Sequence, residues 1–168
     1  RGLPASMFAF QYNNGVEIVQ APGHVIINME MIHEARIVRL DDAPQLDEGV
    51  RQWLGDSRGH WEGNTLVVET TNFNGLGSMT NFGTPGSPPT RATSTEYHLL
   101  ERFERVDAET INYSVTVTDP VTQVGSWTAA YPLKLDPGYQ FFEYACNEDN
   151  YAIRNFIETS RYRRAEEG

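Results

Sequence analysis

Hydrophobic and polar residues alternate with a period of two along most of the chain, a pattern typical of half-buried β-strands. The clearest case is TINYSVTVT at 110–118, where Ile111, Tyr113, Val115 and Val117 fall on one face and polar residues on the other. This alternation indicates a sheet with one face packed on a core. It therefore predicts a fold that is mainly β.

Other segments with strand character are separated by turn signals such as Ala-Pro-Gly and Asp-Pro-Gly. The segment 29–40 is best interpreted as two strand pieces about a tight bend near His33 and Glu34. Gly63-Asn64 suits the turn of a hairpin with arms at 59–62 and 65–71. Strands are further predicted over 15–20, 24–29, 95–106, 126–135 and 139–146.

A single helix is predicted over 151–164, where Ile153, Phe156, Ile157 and Ser160 recur at helical spacing. Eight to nine strands joined by hairpins favour an antiparallel meander, which usually curls. The first choice of fold is a calycin- or lipocalin-like barrel with the helix packed outside, and the second is a strongly bent open sheet. One domain is expected over 1–168, with a long flexible loop at 74–94.

Composition narrows the classes of function. The 168 residues carry a net charge of −10, which argues against binding to nucleic acid or to an anionic membrane surface. No apolar run reaches the ~18 residues of a membrane span. The expected partner is therefore a small-molecule substrate or ligand, with a homo-oligomer as a further option.

Cys146 is the one cysteine, so the chain can form neither an internal disulfide nor a cysteine cluster for zinc. It is expected to be a buried thiol, or to pair with a cysteine in a segment preceding Arg1. The oxygen-rich residues 147–150 could bind calcium, but a helix N-terminus explains them better. The sequence has no phosphate-binding loop or dinucleotide motif, so neither a metal nor a cofactor is predicted.

The densest cluster of charged groups lies in WLGDSRGHWEGNTLVVETTNF, residues 53–73. In an extended strand Arg58, His60 and Glu62 share one face, and Trp61 on the opposite face is expected to fill the core. The three charged groups then face either solvent or a barrel interior. In an interior, His60 and Glu62 could transfer a proton and Arg58, with Asp56, could bind substrate.

A second set of candidates is Glu30, His33 and Arg36, in an otherwise apolar stretch. Charge is costly there unless it is paired. Glu30 and His33 are candidates for proton transfer, and Arg36 for holding an oxyanion. Strand alternation puts Glu30 and Arg36 on one face and His33 on the other unless the bend intervenes. A structural ion pair is the alternative.

Two further carboxylates, Glu101 and Glu143, alternate with large apolar residues and are expected to point inward. Trp127 and Tyr131 are aromatic candidates for stacking on a ligand. Glu101, Glu143, Trp127 and Tyr131 are therefore predicted to bind substrate. Each of the two carboxylates is alternatively a satisfied structural group.

The segment 53–73 resembles a motif of a large uncharacterised family of exported proteins of soil bacteria. Further stretches are similar to that family, namely GLPASM, YNNGVEIVQAPGHVIINMEMIHEARIV, LLERFERVDAETINYSVTVTDP and FEYACNEDNY. The resemblance implies a secreted or periplasmic protein and an upstream cysteine that pairs with Cys146. Arginine is frequent at the position of His60 in that family, which favours Glu62 and His33 as catalysts. It implies no activity.

Two functions follow as hypotheses. The first is a small exported acid–base enzyme, a hydrolase, lyase or isomerase without a cofactor, acting on a small organic or sugar-derived substrate in the barrel. The alternative is a non-catalytic protein that binds a small molecule or a carbohydrate. An enzyme should hold His33 and a carboxylate within about 3–4 Å of each other at a concave pocket. A binding protein should show a pocket lined by aromatic residues.

Overall fold

The computed structural model describes residues 7–8, 13–42, 44–77, 93–144 and 151–166. This part of the chain contains eight strands, a short 3-10 helix at Met31–His33 and one α-helix, α1, at Ala152–Glu166. The strands are β1 Val16–Ala21, β2 His24–Met29, β3 Glu34–Arg39, β4 Asp56–Glu62, β5 Thr65–Thr71, β6 His98–Arg105, β7 Thr110–Thr118 and β8 Trp127–Lys134.

The eight strands form one sheet in sequential order from β1 to β8. The sheet curls into a half-barrel. The prediction of a mainly β fold with a C-terminal helix is therefore confirmed, in its second form, the strongly bent open sheet. Because the described sheet ends at β1 on one side and β8 on the other, its concave face is open between them.

One pair of neighbours departs from the expected antiparallel pattern. Strands β3 and β4 are parallel and share only the pairs Val38 with Ser57 and Arg39 with Arg58. A parallel pair needs a connection long enough to return to the starting end of the sheet. Residues 40–55 provide this connection. Beyond the two shared pairs, β3 and β4 move apart.

The core lies on the concave face and follows the alternation seen in the sequence. On β7, Tyr113, Val115 and Val117 are buried, and Leu99 and Phe103 of β6 pack with them. The same cluster extends to the other end of the sheet through Val25, Ile27, Val38, Leu66 and Val68.

Two local predictions are wrong. Residues 139–144 form no strand: the Phe142 backbone amide donates to the Glu30 carboxylate instead of to a neighbouring strand, and the Tyr139 side chain donates to the same carboxylate. Trp61 is 47% exposed rather than buried. It lies on the concave face near the end of β4, beside the β4–β5 turn, where part of the indole is uncovered.

Helix α1 forms where it was predicted, but its side chains from 152 to 165 are exposed apart from a half-buried Ser160. The expectation that it packs against the outside of a barrel is therefore wrong. Cys146, the segment 147–150 and most of the predicted loop at 74–94, namely 78–92, lie outside the described residues.

Two glycines in the left-handed region give a matched test of packing near β4. Gly55 and Gly63 have φ values of +68° and +62°. A Cβ at Gly55 would meet the Thr71 carbonyl and the Phe73 ring, whereas one at Gly63 would meet nothing within 4 Å. We expect Gly63→Ala to cost about 1 kcal/mol of unfolding free energy, from backbone strain alone. Gly55→Ala should cost about 2 kcal/mol, because the clash adds to the strain.

Urea denaturation of the two variants measures both costs. Equal losses for Gly55→Ala and Gly63→Ala would contradict the close approach of Gly55 to strand β5.

Candidate functional site

The concave face contains an open groove with a cavity volume of about 1420 Å³. Ile18 of β1 and Leu133 of β8 lie at its two sides, and Ile27, Leu66 and Phe103 contribute to its floor. Further aromatic side chains that line it are Phe8, Trp61, Tyr131, Tyr139 and Phe141. We call this space the concave groove. Its lining is mainly apolar, as in ligand pockets, and its volume is above their usual range of ~300–1,000 Å³.

Charged residues among those that line the concave groove are mostly acidic. Five carry a carboxylate and two carry a cation: Glu17, Glu34, Asp107, Glu109 and Asp136 against Arg105 and Lys134. The Lys134 ammonium donates to the Thr110 hydroxyl at 2.6 Å. The lining of the groove therefore disfavours an anionic ligand and favours a neutral or cationic one.

Three polar side chains meet within the apolar interior, and we call them the interior cluster: Arg36 of β3, Glu101 of β6 and Tyr113 of β7. Arg36 donates to the two Glu101 carboxylate oxygens over 2.6 and 3.1 Å. Tyr113 donates its hydroxyl to Glu101 at 2.7 Å. Arg36 is 2% exposed and Glu101 is fully buried, so the pair is desolvated and depends on this geometry.

Tyr113 of the interior cluster and the adjacent Tyr131 are held as neutral phenols. Burial, followed by the charge of Glu101, raises the pKa of Tyr113 and raises that of Tyr131 to about 12. Tyr131 donates to the Met7 carbonyl at 2.5 Å. Both hydroxyls therefore serve as hydrogen-bond donors, and neither is poised to act as a base near neutral pH.

Glu30 joins the two arms that flank the sheet, and we call this arrangement the Glu30 latch. Its carboxylate accepts hydrogen bonds from the Asn13 side chain at 2.9 Å and from the Gly15 amide at 3.2 Å. It also accepts from the Phe142 amide at 3.2 Å and, at short range, from the Tyr139 hydroxyl. The side chain is fully buried. These four donors compensate the charge of the carboxylate, which therefore has a structural role.

The pKa of Glu30 follows from this arrangement. Burial alone would raise it, but the hydrogen bonds from Tyr139, Asn13 and the two amides outweigh burial and lower the pKa below 4.5. The same contact raises the pKa of Tyr139. Glu30 is thus ionised at neutral pH and is poorly suited to act as a general acid.

His33 lies apart from Glu30 and Arg36. It ends the 3-10 helix with a φ of +44° and is exposed. Its Nδ1 is 3.2 Å from the Tyr144 carbonyl oxygen. The 3-10 turn, rather than strand alternation, leaves the His33 side chain exposed while Glu30 and Arg36 are buried. The His33 amide donates to the Glu30 carbonyl at 3.0 Å, but the Glu30 carboxylate bonds to Asn13, Gly15, Tyr139 and Phe142 rather than to the His33 imidazole.

Asp56 and Arg58, on the convex face, fasten the loop before β4. One Asp56 oxygen accepts from the Leu46 amide at 3.1 Å and from Arg58 Nε at 3.1 Å. Arg58 also donates to the Pro44 carbonyl at 2.7 Å. From the other side, the Asn72 amide donates to the carbonyls of Leu46, Asp47 and Val50. These contacts give the two charged residues a structural use.

His60 and Glu62 lie on the same convex face and are 66% and 49% exposed. Glu62 accepts from His60 at 3.2 Å and from Arg102 of β6 at 2.7 Å. The bond from Arg102, followed by that from His60, lowers the pKa of Glu62. Of the two orientations that the sequence left open, the structure has the one facing solvent, where such a ladder contributes little stability.

The remaining candidates are spread over several surfaces. Tyr131 lines the concave groove. Trp127 is 38% exposed and stacks on Phe8 with ring centroids 5.6 Å apart. Glu143 is exposed, so its expected inward orientation is wrong, because residues 139–144 lack strand alternation. Glu101, in contrast, points inward as predicted.

A second, more polar cavity of about 1390 Å³ opens where β3 and β4 diverge, and we call it the fork cleft. His33, Arg51, Trp53, Asp56 and Tyr144 are among the residues that line it. Within the described ranges, no group of three or more His, Cys, Asp or Glu side chains lies in position to hold a metal ion.

The structure thus brings together Arg36 with Glu101, Asp56 with Arg58, and His60 with Glu62, but it places these three pairs at separate sites. Sequence reasoning missed Asn13 and Asn72, which make the key bonds to Glu30 and to the loop before β4. Both have a positive φ, +52° and +58°. Asparagine next to a turn was the one signal that could have indicated them.

Comparisons with protein families, curated proteins and solved structures found no match to this chain. A search of the described helices found none with the length and hydropathy needed to span a bilayer.

Proposed function

We propose that this protein is a non-catalytic binding protein that holds an elongated, largely apolar small molecule in the concave groove. The observation that carries the proposal is the contrast between the groove and the ionisable groups around it. The groove has an apolar floor and aromatic walls, whereas Glu30, Arg36 and Glu101 are occupied by protein partners. Binding of an apolar ligand needs such a groove. Acid–base catalysis needs ionisable side chains that are free to react, and these three are not.

The chemistry of the ligand follows from the lining. The volume of about 1420 Å³ exceeds that of a typical compact drug-sized pocket, so an elongated ligand suits it better than a small acid. The excess of carboxylates around the groove favours a neutral or cationic ligand. The hydroxyls of Tyr131 and Tyr139 donate to the Met7 carbonyl and to Glu30, so these two side chains would contact a ligand through their rings.

The acid–base enzyme remains the second hypothesis, but the contacts give it less support. It requires His33 beside a carboxylate at a concave pocket, and His33 instead contacts a backbone carbonyl at the fork cleft. The resemblance to exported bacterial proteins supports export as part of the proposal, in which case the ligand is met outside the cytoplasm.

Trp61 and Trp53 provide a matched test, since they are 47% and 40% exposed but only Trp61 lines the concave groove. The probe is the neutral apolar fluorophore N-phenyl-1-naphthylamine, titrated into the full chain. We expect Trp61→Ala to weaken binding about tenfold, because a large apolar contact is lost. Trp53→Ala should leave the affinity unchanged.

Equal affinities of the two variants would place the probe elsewhere and overturn the proposal. A screen of ester, lactone and glycoside substrates on wild type and His33→Ala addresses the enzyme hypothesis. Turnover by the wild type that disappears in His33→Ala would contradict a non-catalytic role.

A further inference from the structure

Helix α1 carries an apolar face that nothing covers in the structure. Ile153, Phe156 and Ile157 are 73%, 78% and 44% exposed. At 100° per residue these side chains and Ser160 lie within an arc of about 100°, so they form one continuous stripe. An exposed apolar stripe of this kind on a soluble protein marks a surface that binds something.

The charges beside this stripe are mainly positive. The helix contains four arginines and two glutamates, whereas the whole chain has a net charge of −10. On a helical projection Arg154 and Arg161 lie on one side of the stripe and Arg163 on the other, whereas Arg164 lies within its arc, one turn after Ser160, and ends the apolar part of the stripe. Arg154 also pairs with Glu158 at 3.0 Å. The helix is therefore a basic, apolar-faced segment of an acidic protein.

The concave groove is complementary to this helix in both polarity and charge. Its floor is apolar, and carboxylates outnumber cations five to two among the residues that line it. An α-helix with its side chains is about 10–12 Å wide and lays an apolar face into a groove of this type in many complexes. Arginines on both sides of the stripe would meet the acidic side chains around the groove.

In the structure α1 does not occupy the concave groove of its own chain. Its side chains from 152 to 165 are exposed apart from a half-buried Ser160, and the residues that line the groove lie outside α1. Among the described residues, the apolar stripe and the groove of one chain are therefore both uncovered, and a second copy can cover both.

We propose that α1 of one copy binds in the concave groove of a second copy, and that the exchange is reciprocal in a two-fold symmetric dimer. Such an interface is isologous and contains two identical helix–groove contacts. This inference goes beyond the proposed function and does not require that a small molecule binds. If both hold, the ligand and the partner's helix compete for one groove.

Sedimentation velocity of the full chain over a concentration series tests the helix side. The variant Ile153→Ser/Phe156→Ser removes most of the stripe, and the matched control Tyr162→Ser alters an exposed residue on the opposite face of α1. We expect a wild-type dimer and a dimer dissociation constant raised at least about 100-fold in the double variant, because two apolar anchors are lost in each contact. The control should behave as wild type.

The groove side is tested by Glu109→Lys/Asp136→Lys, two exposed residues that line the groove. This variant alone should be monomeric or weakly dimeric. Mixed with Ile153→Ser/Phe156→Ser, it should form heterodimers, since its intact helix meets an intact groove. A wild-type monomer, a dimer insensitive to the groove variant, or no heterodimer on mixing would each overturn the proposal.

Probe binding to the monomeric Ile153→Ser/Phe156→Ser variant separates this inference from the proposed function. Titration with N-phenyl-1-naphthylamine should give a higher affinity than for the wild type, since no helix competes. Dimerisation without probe binding would remove the small-molecule function alone. Probe binding by a wild-type monomer would remove the helix exchange alone.

Discussion

Replacing Arg36 with methionine is expected to lower the free energy of unfolding by about 3–5 kcal/mol. The reason is that Glu101, which is fully buried, would keep its charge but lose both hydrogen bonds from the guanidinium. Glu101→Leu should cost a similar amount, because it leaves the Arg36 charge unpaired. Urea denaturation followed by tryptophan fluorescence measures both losses.

The double variant Arg36→Met/Glu101→Leu should recover at least about half of the summed losses, because it removes both charges and leaves apolar groups of similar size. The matched control is the exposed pair of Arg102 and Glu62, joined at 2.7 Å. Arg102→Met and Glu62→Leu should each leave stability nearly unchanged, because solvent screens an exposed ion pair. Strictly additive losses at Arg36 and Glu101 would show that the two charges do not depend on each other.

Glu30→Ala is expected to cost about 3 kcal/mol of unfolding free energy, since four donors lose one charged acceptor at a buried site. Both arms of the latch should loosen, so limited proteolysis near 13–15 and 139–142 should speed up. Glu104→Ala serves as the control, because Glu104 is exposed on β6 and takes no part in the latch. Unchanged proteolysis in Glu30→Ala would contradict the latch.

The latch also predicts a dependence of stability on pH. Because the folded-state pKa of Glu30 lies below its ordinary value of 4.5, its contribution is present above that pH and is lost as the pH falls through the lowered pKa. Glu30→Gln should therefore lose less stability than wild type on acidification below 4.5. Thermal unfolding at several pH values compares the two. If wild type and Glu30→Gln lost stability equally as the pH falls, Glu30 would be excluded as the group whose protonation destabilises the fold.

The candidate site could be anticipated only in part. Alternation on β6 showed that Glu101 points inward, and the scarcity of charge around 24–38 showed that Arg36 needed a partner. Neither pattern indicated that the two would meet, because they are 65 residues apart. The sequence could not predict which way His60 and Glu62 point, for a related reason. Alternation separates the two faces of a strand but does not show which face is concave.

The failures at Trp61 and 139–144 have a common physical basis. Apolar content predicts burial only where a second surface is available to cover the side chain. Trp61, near the end of β4, is covered only in part, and after Gly138 the Phe142 amide donates to the Glu30 carboxylate rather than to a neighbouring strand.

The sequence by itself determined the local structure: strands where side chains alternate, turns at Gly and Pro, and a helix where the apolar spacing changes. These features depend on backbone geometry over a few residues. Tertiary structure alone decided that Arg36 meets Glu101, that Asn13 and Tyr139 meet at Glu30, and that the concave groove stays open. Each depends on the curvature of the sheet, which arises from the packing of residues far apart in the chain.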